Sequence, residues 1–183
     1  MKKLLMTGLA AMFLSGCVTM NQGGASVSFQ ENWALLPFIN NTETPYAAER
    51  AESVSAALLY ARGVQRLERS TSEAARPEDS LGTDRGESKQ KAALESARQK
   101  KVRYALAGTV NEWRYKVGLD GEPVAGFTLQ VIELPEGRVV WSGAASKSGW
   151  SRDAVSAVAQ QVLERLMNEI SVLPADQTTQ KEK

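Results

Sequence analysis

Residues 102–143 read VRYALAGTVNEWRYKVGLDGEPVAGFTLQVIELPEGRVVWSG, and their pattern decides the fold. Apolar and polar residues alternate with the period of half-buried strands. Three strand signals stand in a row. The first is Val102–Val110. The second is Glu112–Val117, with Trp113, Tyr115 and Val117 on one face. The third is Val124–Leu134, where Phe127, Leu129 and Val131 alternate with Thr128 and Gln130. Val139–Gly143 is the last strand. Asp120-Gly121 and Glu136-Gly137 sit between strand signals as hairpin turns, because such pairs supply the positive φ that tight turns need.

Upstream, Trp33–Phe38 (WALLPF) is a short apolar run that reads as a buried strand, with Pro37 placing its end at a sheet edge or a bulge. Asn40–Pro45 is a loop. Ala51, Val54, Leu58 and Ala61 give Ala47–Arg62 helical spacing, and Gly63 ends that helix. Val64–Leu67 is a second short strand. Residues 69–86 hold no periodic apolar set and read as a surface loop. Glu87–Lys101 is a helix by propensity, its last turn carrying Arg98, Lys100 and Lys101 to suit the helix dipole. Downstream, Val155, Val158, Ala159, Val162, Leu166, Ile170 and Leu173 form a 3.6-residue stripe on a long helix from Ser151 to Leu173, stopped by Pro174. The tail 174–183 reads as disordered. The order is β-α-β-α-β-β-β-α. It predicts an α/β chain of the α+β kind, with a mixed sheet, helices packed on it and a single globular domain over 33–173.

The N-terminus has its own pattern. Lys2 and Lys3 precede an apolar run, Leu4–Leu14, too short for a comfortable membrane span. It ends Leu14-Ser15-Gly16-Cys17, which looks like a bacterial lipobox cleaved before a lipidated cysteine. Residues 1–16 are then a signal peptide, and the mature chain has 167 residues and a net charge of −1. Buried acyl chains contribute ~0.8 kcal/mol per methylene, so several chains anchor the protein permanently. Val18, where an aspartate would resemble an inner-membrane retention signal, favours the outer membrane with the domain on its periplasmic face. Residues 17–32 form the lipidated cysteine and a polar tether, which reaches ~50 Å extended and ~20 Å as a coil.

Composition excludes several functions. The chain has 183 residues, 22 basic and 21 acidic side chains, one cysteine and no histidine. Near-neutrality leaves no basic field for nucleic acid. Without histidine there is no Ser-His-Asp or Cys-His site, and one cysteine makes neither an intrachain disulfide nor a Cys-rich metal site. Paired carboxylates do hydrolytic work without histidine, yet Glu112 and Glu133 sit singly on different strands. Gly23-Gly24 lacks the context of a phosphate loop, and Arg98, Lys100 and Lys101 read as a solvated helix end. No catalytic residue, cofactor or metal is expected.

Two features are not absorbed by a core. From Gly118 to Gly137 the chain carries Asp120, Glu122, Glu133 and Glu136 and no basic residue. As the turns lie at opposite ends of one strand, these acids make two small tips rather than one patch, and turn chemistry and solubility are the simpler account of them. The second feature is Trp150. It is either a staple packed on Val155 with Ser151 as N-cap, or an interfacial anchor at headgroup level.

WALLPFINNTETPYAAERAESVSAALL, YALAGTVNEWRYKVGLDGEP and GRVVWSGAASKSGWSRDAVSAVAQQVLERL together resemble the PelC family, small outer-membrane lipoproteins of Pel exopolysaccharide export. The likeness runs over roughly residues 33–173. The Leu-Leu-Pro-Phe strand also occurs in fold relatives: CsgG, the activator LpoB and the N-terminal domain of TolB. The resemblance implies a non-enzymatic homo-oligomeric ring, described as a dodecamer. It would cap the periplasmic side of a PelB-like barrel and guide a cationic aminosugar polysaccharide through an electronegative face. Glu133, Glu136, Asp120 and Glu122 are the acidic candidates. Family tryptophans are implied to face the membrane lipid, and Trp150 is the matching position. Strand order places Leu119 beside Trp150, and Glu133 and Glu136 at the opposite end. The alternatives are an LpoB-like synthase activator, which needs a long tether, a CsgG-like secretion component, which needs spare membrane hairpins, and an enzyme, which the missing histidine disfavours. Arg114, Lys116 and Arg152 are either interface partners or solvated.

Overall fold

The computed structural model describes residues 18–69, 83–118 and 121–173. Cys17, most of the expected 69–86 loop, Leu119, Asp120 and the 174–183 tail lie outside them. Seven strands form one mixed sheet: β1 (Val18–Gly24), β2 (Trp33–Leu35), β3 (Ile39–Asn40), β4 (Leu67–Arg69), β5 (Tyr104–Tyr115), β6 (Pro123–Glu133) and β7 (Arg138–Ser148). Among the described residues three helices pack on it: α1 (Ala47–Ala61), α2 (Thr83–Gln99) and α3 (Val155–Asn168). The spatial order is β1-β7-β6-β5-β2-β4, with β3 pairing β5 beyond the end of β2.

The antiparallel β5–β6–β7 run follows the alternation read in the sequence. The signals at Val102–Val110 and Glu112–Val117 are one strand, broken in register between Val110 and Glu112. The extra residue there, Asn111, keeps Trp113 and Phe127 on the same buried face, edge to face at 6.1 Å. β2 and β3 run parallel to β5 as the two ends of the expected WALLPF strand, interrupted at Pro37, which has no N–H to donate. β4 pairs parallel to β2, so two crossovers precede the hairpins as expected. It starts later than the expected Val64, a residue that is buried ahead of the strand.

The helix ends follow local chemistry. α1 stops in a Schellman motif: Gly63 takes φ +97°, its N–H donates to the Tyr60 carbonyl, and the Val64 N–H donates to the Leu59 carbonyl. The same arrangement ends α2, where Lys101 adopts φ 56° and the Val102 N–H reaches the Ala97 carbonyl. α3 is shorter than its apolar stripe. It ends at Asn168, and Leu173 leaves to donate its N–H to the Val27 carbonyl.

α1 and α3 cover one sheet face. Trp33, Leu106, Trp113, Phe127, Leu129 and Trp141 meet Ala51 and Leu59 of α1 and Val162, Leu163 and Leu166 of α3. α2 covers only part of the other face, with Ala93 and Ala97 over Ala34, Leu36, Ala105 and Ala107.

The expected tether is the main correction. Residues 18–24 form an edge strand antiparallel to β7, from Val18 opposite Lys147 to Gly24 opposite Trp141. Val27 is fully buried and bridges Val172, and Phe29 stacks on Trp33 at 5.4 Å. The segment therefore belongs to the sheet, and the reach expected of a free coil does not apply.

Glu52 of α1 turns inward and accepts the Phe38 N–H at 2.8 Å. Burial pushes its carboxyl from an ordinary 4.5 up to about 7; the Phe38 bond opposes that rise, Glu49 adds to it, and Arg69 and Lys89 oppose it. A folded pKa above the unfolded one means that this group favours the fold most below pH 4.5, and that this contribution is lost as pH rises through 7. We expect Glu52→Gln to be more stable than wild type by ~1–3 kcal/mol at pH 8, with the gain vanishing near pH 4.5. Urea unfolding at the two pH values checks this, and an equal difference at both would refute it.

Candidate functional site

One end of the sheet gathers the features the sequence could not assign to a core. β5 arrives there at Tyr115, β6 starts at Pro123, β7 ends at Ser148, and Val18 opens β1 opposite Lys147. Backbone hydrogen bonds tie the end together: Lys116 N–H to the Glu122 carbonyl at 2.8 Å, and Gly149 N–H to the Pro123 carbonyl at 2.8 Å. Lys116 Nζ also pairs with Glu122 Oε2 at 2.9 Å.

The position of Trp150 follows from its neighbour. A Cβ on Gly149 would sit 2.5 Å from Val158 Cγ2, so only glycine lets the chain press this close to α3. The chain then turns: Trp150 N–H donates to Asp153 Oδ2, and Asp153 N–H donates to the Trp150 carbonyl, both at 2.9 Å. The staple reading does not hold. The N-cap is Ala154, not Ser151, and the Val155 N–H is taken by Tyr115 Oη at 3.2 Å. Trp150 points outward, 68% exposed, at the same end as fully exposed Val117 and half-exposed Tyr115. Leu119, expected beside Trp150, lies outside the described residues.

Sequence reasoning missed Val117 and Tyr115 as surface groups. They share a phase with buried Trp113, but the strand runs past the helices that cover that phase.

The acidic candidates do not gather. Glu133 is only 8% exposed. Its Oε1 accepts from Arg103 at 2.6 Å and its Oε2 from Arg138, so two guanidinium groups neutralise it. It clamps the start of β5 to the β6–β7 turn and offers no free negative charge to a polymer, which corrects its expected role. Glu136 is exposed in that same turn, at the end opposite Trp150. Glu122 lies at the Trp150 end, bound to Lys116, and Asp120 is outside the described residues.

The remaining candidates stay apart. Glu112 pairs with Arg114, Arg98 with Glu95, and Lys100 with Glu68. Glu112 lies level with Gly126, seven positions along β6 from Glu133. Among the described residues no cluster of three metal-binding side chains occurs, and no helix is long and apolar enough to cross a membrane.

Glu133→Ala should lower stability by ~1–3 kcal/mol by removing the buried carboxylate that ties Arg103 to Arg138 across the end of the sheet. Trp150→Ala should change it by less than ~0.5 kcal/mol, because an exposed side chain holds little of the fold. Denaturant titration of both variants separates the clamp from the tip; a large loss in Trp150→Ala would mean that the indole is packed.

Comparison with known proteins follows from this geometry. The sequence model of the peptidoglycan-synthase activator LpoB family matches residues 34–146. The PelC dodecamer from Paraburkholderia phytofirmans is similar at 33% identity, covering 86% of this chain and all of that one, with a TM-score of 0.71. A PelC variant from the same organism, a dodecamer in a second crystal form, gives 33% identity over 87% of this chain and a TM-score of 0.70. Lipoprotein GNA1162 from Neisseria meningitidis, at 16% identity, covers 76% of this chain and 97% of its own, with a TM-score of 0.50; it shares the fold. No curated protein matches the chain.

Proposed function

The chain belongs to the family of PelC and LpoB, and from that premise we propose that it is a non-enzymatic lipoprotein of the outer membrane. Anchored through Cys17 on the periplasmic face, it assembles with copies of itself into a collar that passes a cationic aminosugar polysaccharide to a PelB-like export barrel. PelC of Paraburkholderia phytofirmans is a dodecamer, and a collar of that size is the natural assembly for a chain this similar.

The observation that carries the orientation is the position of Val18. It begins β1 at the same end of the sheet as Trp150 and Val117. A lipid on Cys17, one residue earlier, is then held within about 4 Å of backbone from that end. Acyl chains and an exposed indole favour the same layer, the one as solute in hydrocarbon and the other at headgroup level. Glu136 then faces the periplasm, toward the arriving polymer. Of the acidic candidates among the described residues, electrostatic guidance rests on Glu136, since Glu133 and Glu122 are already paired.

A synthase activator in the manner of LpoB must reach across the periplasm. Here the segment that would serve as tether is hydrogen-bonded to β7 from its first residue, which supports the collar over that reading. A secretion pore in the manner of CsgG needs hairpins free to enter the membrane, whereas β5, β6 and β7 carry the core of this sheet.

In cells making the full lipoprotein, Cys17→Ala should move it from the membrane to the soluble periplasmic fraction. Trp150→Ala combined with Val117→Ser should leave membrane fractionation and oligomer size unchanged, yet lower exported polymer at least tenfold. Fractionation, native mass measurement and staining of surface polymer check these outcomes. Undiminished export in the double variant would remove the tip from the mechanism, and a monomeric wild-type lipoprotein would remove the collar.

A further inference from the structure

The second face of the sheet is only half covered. α2 lies over β2, β3, β5 and the Ile132 end of β6, and among the described residues no helix packs on β7 or on the rest of β6 on that side. The outward positions there are Gly126, Thr128 and Gln130 on β6, and Ser142, Ala144 and Ser146 on β7, paired in register. None is charged, in a chain where 23% of residues are. None is aromatic either, which makes the face a poor platform for stacking sugar rings. Between Asn111, Gly126, Ala144 and Ser146 lies a shallow trough of about 390 Å³, bordered on the β5 side by Glu112, whose charge is paired with Arg114.

The opposite layer shows a matching surface. The first two turns of α3 turn Ser156, Ala157 and Gln160 outward, all exposed and uncharged, before Glu164 and Arg165 begin the charged part. The heights agree. Val155 is held to Tyr115 at the Trp150 end, so Gln160 lies about 8 Å along the sheet from there at ~1.5 Å per helical residue. Ser146, level with Gly126, lies about 10 Å from the same end at ~3.3 Å per strand residue.

We propose that the bare β6–β7 face of each copy receives the outer face of α3 from the next copy of the same chain. Resting on the collar reading above, this names the contact that closes it. A closed assembly of more than two subunits related by one axis needs two different, complementary patches on each protomer. The PelC relative keeps its dodecamer in two crystal forms, so its contact belongs to the protein and not to one lattice. Here the two patches lie on opposite faces, at equal height, both small and uncharged. The neighbour's helix supplies the layer that α2 leaves out over β6 and β7. An axis parallel to the strands then keeps every Trp150 at one rim.

The experiment uses the full lipoprotein extracted in mild detergent. Cys17 is the chain's one cysteine and lipidation would occupy it, so introduced thiols are the only free ones. Ser146→Cys combined with Gln160→Cys should oxidise into a ladder that runs past the dimer, and neither single variant should form one. Ala144→Arg should lower the native mass from the full oligomer to monomers, with the circular dichroism unchanged. Gln99→Arg, at the exposed end of α2, should leave the mass alone. A full-sized oligomer in Ala144→Arg together with no ladder would overturn this contact while leaving the collar standing. Dimers from Ser146→Cys alone would also overturn it, because the face would then pair with itself. A wild-type protein that is monomeric would overturn the collar and this contact together.

Discussion

Strand β6 is hydrogen-bonded on both sides along almost its whole length, and the rest of the molecule depends on that ladder. It fixes which residues share an end: Pro123 with Tyr115, and Glu133 with Tyr104 and Arg138. It also fixes which side chains share a face, since strand positions alternate and a slip of one residue would turn Phe127, Leu129 and Val131 out to water. The helices follow. α1 and α3 settle on the face that these residues make apolar, and the start of α3 is drawn to the Tyr115 end. β7 then offers its free edge to β1, which carries the chain's beginning back to the end where Trp150 projects. One register therefore decides orientation, core and tip together.

Much of this was legible in the sequence because it is local. Alternation marked β5 and β6, the apolar run Val139–Gly143 marked the first half of β7, which continues to Ser148, and turn chemistry marked the hairpins between them. The Pro37 break in the first strand followed from a missing N–H. What escaped was non-local. β1 is a polar segment with no alternation, and its partner β7 lies more than a hundred residues away. Its place in the sheet comes from an edge needing a strand, not from its own preference. The length of α3 was overread because Ile170 and Leu173 keep helical phase while serving other contacts: Ile170 is buried past the helix end, and Leu173 bonds to Val27. Burial of Glu133 was within reach of the sequence, since it continues the inward phase of Phe127, Leu129 and Val131. Only its partners, Arg103 thirty positions earlier and Arg138 across the turn, depended on the fold.

The charge pattern changes meaning once these contacts are known. A chain with nearly equal numbers of acids and bases exerts an electric influence only through those left unpaired. At both ends of the sheet the hairpin acids are largely spent on structure: Glu133 on two arginines, Glu122 on one lysine. The exposed Lys116–Glu122 pair contributes little to stability, the buried Glu133 holds its two arginines as a clamp, and neither adds much to the field beyond a Debye length of about 8 Å. A guiding field built from single turn residues such as Glu136 is weak in one copy. It becomes substantial only when symmetry brings many copies within a Debye length of a common path.

The same reasoning explains why a conduit can dispense with the residues that catalysis requires. An enzyme concentrates a few perturbed groups at one point, and histidine is its usual means. A collar has no transition state to stabilise. It needs each subunit held at one height and one angle, so that modest groups line up around an axis. In the proposed collar those demands would fall on backbone register, on a glycine that presses the Trp150 turn against α3, and on the two patches proposed to bring copies together. Each is a matter of shape rather than reactivity. The one titrating group raised to near pH 7, Glu52, sits inside the fold against Phe38, away from the Trp150 rim and the hairpin turns. Its raised pKa is a consequence of burial at a strand bend, and so belongs to the interior of the fold.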